Sequence, residues 1–84
     1  AGYSRQSKFE GSRRQKRAHI VRMLLAARDG QPAGITVDEA VTGVNEMETA
    51  AGRESVEREL VASILADLER EGFCRAEDDR WLSV

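Results

Sequence analysis

Apolar residues along the chain fall into three runs with helical spacing, followed by two short runs that do not. Residues 1–11 mix Gly, Ser and charge with neither a helical nor a strand period, and they are expected to form an irregular N-terminal arm. Ser12 with Gln15 three positions on has the form of a capping box. Ile20, Val21, Leu24 and Leu25 then recur on one helical stripe, flanked by Met23 and Ala27, until Asp29-Gly30-Gln31-Pro32 stops it. A first helix is predicted over 13–29. Ala33-Gly34-Ile35 reads as a short extended link. Thr36 and Glu39 form a second capping box, and Val37, Ala40, Val41, Val44 and Met47 line a second helix over 37–47. Residues 48–54 admit two readings: a turn centred on Gly52, or one helix continuing through the glycine. Val56, Leu60, Val61, Ile64, Leu65 and Leu68 give a wide stripe and a third helix over 54–71, ended by Gly72. From Phe73 onward two short runs flank an acidic turn near Glu77–Arg80, the pattern of a hairpin without an Asn-Gly signal to fix its register.

The segment Ile64-Leu65-Ala66-Asp67-Leu68-Glu69-Arg70-Glu71-Gly72-Phe73-Cys74 resembles the end of a winged helix-turn-helix third helix running into its wing. The order helix, extended link, helix, helix, hairpin is similar to the same superfamily over residues 13–84. The resemblance implies a mainly α fold with a small β hairpin, three helices plus a C-terminal two-stranded wing, in one domain over 12–84 behind the arm of 1–11. A hairpin is marginal alone, so Phe73, Trp81 and Leu82 are expected to pack against the helices. Trp81 is read as a core anchor for the wing rather than a base-stacking residue.

Composition changes the picture through charge. Over 84 residues the formal net charge is −2, with 13 Lys and Arg against 15 Asp and Glu. Residues 1–28 carry +7 and residues 29–84 carry −9. Such an asymmetry points to a basic arm that meets a polyanion, or to two surfaces that pair with each other. No apolar run approaches the roughly 18 residues of a membrane span. The single cysteine, Cys74, cannot form an internal disulfide, so a reducing, cytoplasmic setting is expected.

In the superfamily that the chain resembles, the third helix enters the major groove and its N-terminal residues meet base edges. That resemblance puts Arg53, Ser55 and Arg58 forward as DNA contacts, since Arg and Ser hydrogen-bond bases and phosphates. Arg5, Lys8, Arg13, Arg14, Lys16 and Arg17 form the basic cluster expected to hold phosphates. Glu54, Glu57 and Glu59 surround the first group and repel phosphate, and the wing tip Glu77-Asp78-Asp79 is acidic as well. The leading expectation is therefore a prokaryotic or phage-like DNA-binding protein, serving transcription regulation or DNA processing, with its arm and first helix on the phosphates. The competing expectation is a protein-interaction winged helix, a dimerising or adaptor subunit that uses the acidic third helix and wing. A patch of small residues, Ala62, Ser63 and Ala66, would admit a partner helix or signify only helix propensity.

Nothing in the sequence points to an enzyme, a cofactor, a small-molecule ligand or a metal. His19 falls with Gln15, Arg22 and Ala26 on the polar side of the first helix, and Cys74 is read as a small buried hydrophobe. No Gly-rich phosphate loop follows a strand, and Glu77, Asp78 and Asp79 lack the spacing of a calcium loop.

Overall fold

A computed structural model describes residues 13–83. The expected Ser12 capping box and the arm 1–11 lie outside that range. Helix α1 (Arg13–Ala26) leads through a turn to strand β1 (Ile35–Thr36), then to helices α2 (Val37–Ala50) and α3 (Arg58–Arg70) and strands β2 (Cys74–Glu77) and β3 (Arg80–Ser83). The protein is mainly helical with a small antiparallel sheet.

The apolar stripes become the core. Ile20 and Leu24 from α1, Ala40 and Val44 from α2, and Val61, Ile64, Leu65 and Leu68 from α3 are buried together with Ile35 and Cys74. Trp81 is half-buried against that cluster, in the anchoring position expected of it. Two apolar residues depart from expectation. Leu25 is 53% exposed and Phe73 50% exposed. The α1 stripe is narrower than its sequence suggests, since Leu24 joins the buried cluster and Leu25 stays at the surface.

The helix ends differ from the sequence reading in physically traceable ways. α1 stops at Ala26, three residues early, where the Gly34 N–H returns to the Ala27 carbonyl at 3.0 Å. The Thr36–Glu39 capping box forms, with the Glu39 N–H donating to Thr36 Oγ1 at 3.1 Å and the Thr36 N–H to Glu39 Oε1 at 2.9 Å. α2 runs three residues longer than expected, through Ala50, and the chain then turns at Ala51 and Gly52 (φ +80°), so residues 48–50 are helical and the helix does not continue through the glycine. α3 begins at Arg58 rather than 54. The preceding residues are held extended, with the Val56 N–H donating to Asn45 Oδ1 at 2.6 Å.

The sheet has three strands, in the order β1-β3-β2, not the two of the expected hairpin. β2 and β3 pair from Cys74↔Ser83 to Glu77↔Arg80 around a two-residue turn with Asp78 at φ +58°. β1 adds Ile35↔Trp81 and Thr36↔Arg80. Gly34 makes that addition possible. It sits at φ +85°, and a Cβ there would lie 2.5 Å from the Trp81 carbonyl oxygen. Arg80 fastens the junction, donating from Nε to the Ala33 carbonyl at 2.9 Å and from Nη2 to the Gly34 carbonyl at 2.8 Å.

Candidate nucleic-acid interface

The residues expected to hold phosphate divide into those bound within the fold and those facing out. Arg5 and Lys8 lie outside the described residues. Lys16 is buried. Its Nζ faces Glu48 Oε1 at 3.7 Å, and the Glu48 side chain is 2% exposed. Arg53 closes on the same carboxylate, Nε to Oε1 at 2.8 Å and Nη2 to Oε2 at 3.3 Å, and also donates to Gln15 Oε1 at 3.0 Å. α1, α2 and the turn before α3 thus meet at one charged cluster. The Arg53 hydrogen bond holds the Glu48 carboxyl below its ordinary range against the opposing effect of burial, with Lys16 adding to the depression. Lys16 and Arg53 are structural ties, and a phosphate could recruit them only by breaking that cluster.

Arg13 and Arg17 at the basic start of α1 meet carboxylates on α3 and just past its end. Arg13 donates to Ser63 Oγ at 3.0 Å and pairs with Asp67 Oδ2 at 2.5 Å. Arg70 pairs with the other Asp67 oxygen. The Arg13 hydrogen bond lowers the Asp67 carboxyl against the opposing effect of desolvation, and Arg70 adds to the depression. Arg17 pairs with Glu71 Oε1 at 2.5 Å, its guanidinium 5.1 Å from the Phe73 ring centroid. Arg14 is exposed on α1. The small-residue patch on α3 is likewise engaged at Ser63, which Arg13 bonds.

Near the start of α3, Ser55 is exposed and Arg58 is paired with Asp38 at 2.5 Å. That pair joins the N-terminal ends of α2 and α3. Asp38, Glu39, Glu46, Glu54, Glu57 and Glu59 are all exposed in this region, and the basic residues beside them are Arg53, Arg58 and Arg80, whose Nη2 lies 3.5 Å from Glu39 Oε1. The surface where the reading head was expected is therefore acidic, and the basic start of α1 lies against the middle and C-terminal half of α3.

Glu48 is the residue that the sequence reading missed. Its spacing from Ala40 and Val44 places it on the apolar stripe of α2, and a carboxylate on a buried stripe signals a hidden counter-charge. His19 also departs from expectation. It is half-buried toward α2, its Nε2 3.9 Å from where a Cβ on Gly43 would lie. Among the described residues no three His, Cys, Asp or Glu side chains converge as metal ligands would, and no helix is long and apolar enough to cross a membrane. No family model matches the chain, and no curated protein or solved structure matches it.

Proposed function

We propose that the chain is a winged-helix interaction module that docks a positively charged protein surface through the acidic face at the N-terminal ends of α2 and α3. The element order α1-β1-α2-α3-β2-β3, with β1 laid on β3, supports the winged-helix reading. One observation carries the functional reading. Arg13, Lys16, Arg17, Arg53 and Arg58 each pair with a carboxylate of the same chain, Lys16 and Arg53 sharing Glu48, while the carboxylates around the starts of α2 and α3 outnumber the basic residues beside them. Helix dipoles favour acids in a first turn, which accounts for Asp38, Glu39 and Glu59. They do not account for Glu46, further along α2, or for Glu54 in the connecting turn.

Duplex DNA is the second reading, favoured by α1 itself, which carries five basic residues and no acidic one. Anisotropy titrations of the full chain against a labelled lysine-rich peptide and a labelled random duplex separate the two. At about 50 mM salt the peptide is expected to bind, weakening as salt rises, and Asp38→Asn with Glu57→Gln and Glu59→Gln to reduce its affinity at least tenfold. The duplex is expected to show no binding in the roughly 1–100 µM range typical of non-specific DNA association. Micromolar duplex binding that is steeply salt-dependent and lost on replacing Arg13, Arg14 and Arg17 would install the DNA reading instead. Lys16 is left out of that variant because its burial makes it a stability probe.

A further inference from the structure

The two large hydrophobic side chains standing most exposed among the described residues, Leu25 and Phe73, line the same groove. Its wall is α1, through Val21, Leu24 and Leu25, and the hairpin side contributes Gly72, Phe73 and Ser83. The cavity volume is about 290 Å³, in the range of small ligand-binding clefts. Isolated apolar side chains on a surface are ordinary. Two of them converging on one concave, apolar-lined groove mark a contact site.

Charge narrows the occupant. Val21 and Leu25 share a helical stripe with Arg14 and Ala18, at spacings of three, four and seven. Arg17 stands over the Phe73 ring and engages Glu71, the carboxylate beside the groove mouth. Arg22 and Arg28 are exposed on either side of Leu25 along the chain, and α1 has no acidic residue. The groove is an apolar floor whose α1 wall is flanked in sequence by exposed Arg22 and, past the helix end, by exposed Arg28 next to Asp29. A second copy placed across a two-fold axis would bring the basic α1 wall onto its own copy, which is unfavourable. A nucleic acid would find phosphate partners but no use for Leu25 and Phe73.

We propose that the groove between α1 and the hairpin binds an acidic amphipathic peptide segment of a partner protein. Large apolar side chains of the segment enter beside Leu25 and Phe73, and its carboxylates face Arg22 and Arg28. This surface is separate from the acidic face of α2 and α3 and opposite to it in sign, so either proposal can fail without the other. Together they would make the module a bridge between an acidic and a basic partner.

The test is an NMR titration of the full-length ¹⁵N-labelled chain with a synthetic helical peptide. The probe carries Leu and Phe at positions i, i+4 and i+7 and Glu elsewhere on the bound face, with a Lys-for-Glu version as control. The Glu peptide is expected to shift the amides of Val21, Leu25, Gly72 and Phe73, to weaken with salt, and to lose at least tenfold in affinity in Leu25→Asp. Because Leu25 is already half in solvent, that variant should keep the wild-type spectrum outside the groove. Arg22→Glu with Arg28→Glu should reverse the preference toward the Lys peptide without touching the apolar floor. Equal binding of both peptides, or shifts confined to other surfaces, would overturn the proposal. So would a monomer–dimer equilibrium abolished by Leu25→Asp, a duplex DNA that shifts the same amides more tightly than the peptide, or, with no peptide present, a shift of those amides on replacing Phe9, the phenylalanine of the N-terminal arm 1–11, by Ser.

Discussion

Glu48→Gln tests the charged cluster beneath α1 with the least change of shape. The variant keeps a carbonyl that can accept from Arg53 but removes the negative charge. Lys16, whose side chain is 7% exposed, then faces no counter-charge at Glu48, its partner at 3.7 Å. Removing one partner of a buried ion pair costs about 3–5 kcal/mol, because the remaining charge keeps its desolvation penalty. Arg53 is 29% exposed and can turn to water, so the loss belongs at the lower end, about 3 kcal/mol. A chain of this length has a total stability of roughly 4–12 kcal/mol, so the loss is a large fraction of the whole. Lys16→Met keeps the apolar stem and leaves Glu48 bonded to Arg53, so it should cost about 1 kcal/mol. The double variant, with no buried ammonium left to strand, should recover at least about 1 kcal/mol relative to the sum of the two.

Urea unfolding followed by the fluorescence of half-buried Trp81 measures all three variants. With a slope near 1 kcal/mol/M, Glu48→Gln should lower the midpoint by about 2–3 M. The pH dependence gives an independent check. Because the folded-state pKa of Glu48 is lowered, its stabilisation is present above the unfolded carboxylate range, near pH 4.3, and is lost as pH falls through the lower folded value. Wild type and Glu48→Gln should therefore converge in stability as the solution is acidified. A loss under about 1 kcal/mol, as for an exposed ion pair, or parallel acid limbs in the two proteins, would show that the cluster does not hold the three segments together.

Two further outcomes probe other parts of the fold. Gly34→Ala combines a left-handed backbone with a Cβ 2.5 Å from a carbonyl oxygen, and should cost about 3 kcal/mol; Gly52→Ala, at a similar φ with open space around it, should cost about 1 kcal/mol. Equal losses in thermal melts of the two would mean that the β1–β3 contact is looser than described. Cys74 is buried, and burial first and the Glu69 carboxylate second push its thiol up, so the neutral thiol is favoured and its stabilisation is lost only as pH rises through the raised value. Iodoacetamide at about pH 8, near the ordinary thiol range, should label native protein at least a hundredfold more slowly than protein in urea, and a ratio below ten would contradict that burial.

What the sequence shows of this fold is what repeats locally. Ala40 and Val44, and Val61, Ile64, Leu65 and Leu68, are spaced as a helix spaces a buried stripe, and Thr36 with Glu39 satisfies backbone groups three residues apart. The hidden features are pairings between residues far apart. Arg80 reaches carbonyls 46 and 47 positions earlier, so the third strand has no local signature. Residues 54–57 carry acids that suit a helix start, yet Asn45 and the Glu48–Arg53 contact hold that segment extended. Leu24 and Leu25 are indistinguishable by type, and only the packed fold decides which is covered. Charge is affected most strongly. The +7 of residues 1–28 reads as a polyanion site when each residue is counted alone. In the folded chain Arg13, Lys16 and Arg17 meet Asp67, Glu48 and Glu71, although Glu48 is shared with Arg53 and Asp67 with Arg70, so these cations are engaged within the molecule. What stands at the surface includes carboxylates around the starts of α2 and α3, and the outer side of α1 beside Leu25. Both surfaces are set by which charges the fold leaves over, a subtraction that requires knowing the contacts. That is why the residues first assigned to phosphate include some that tie the helices together, while the apolar groove beside them went unassigned.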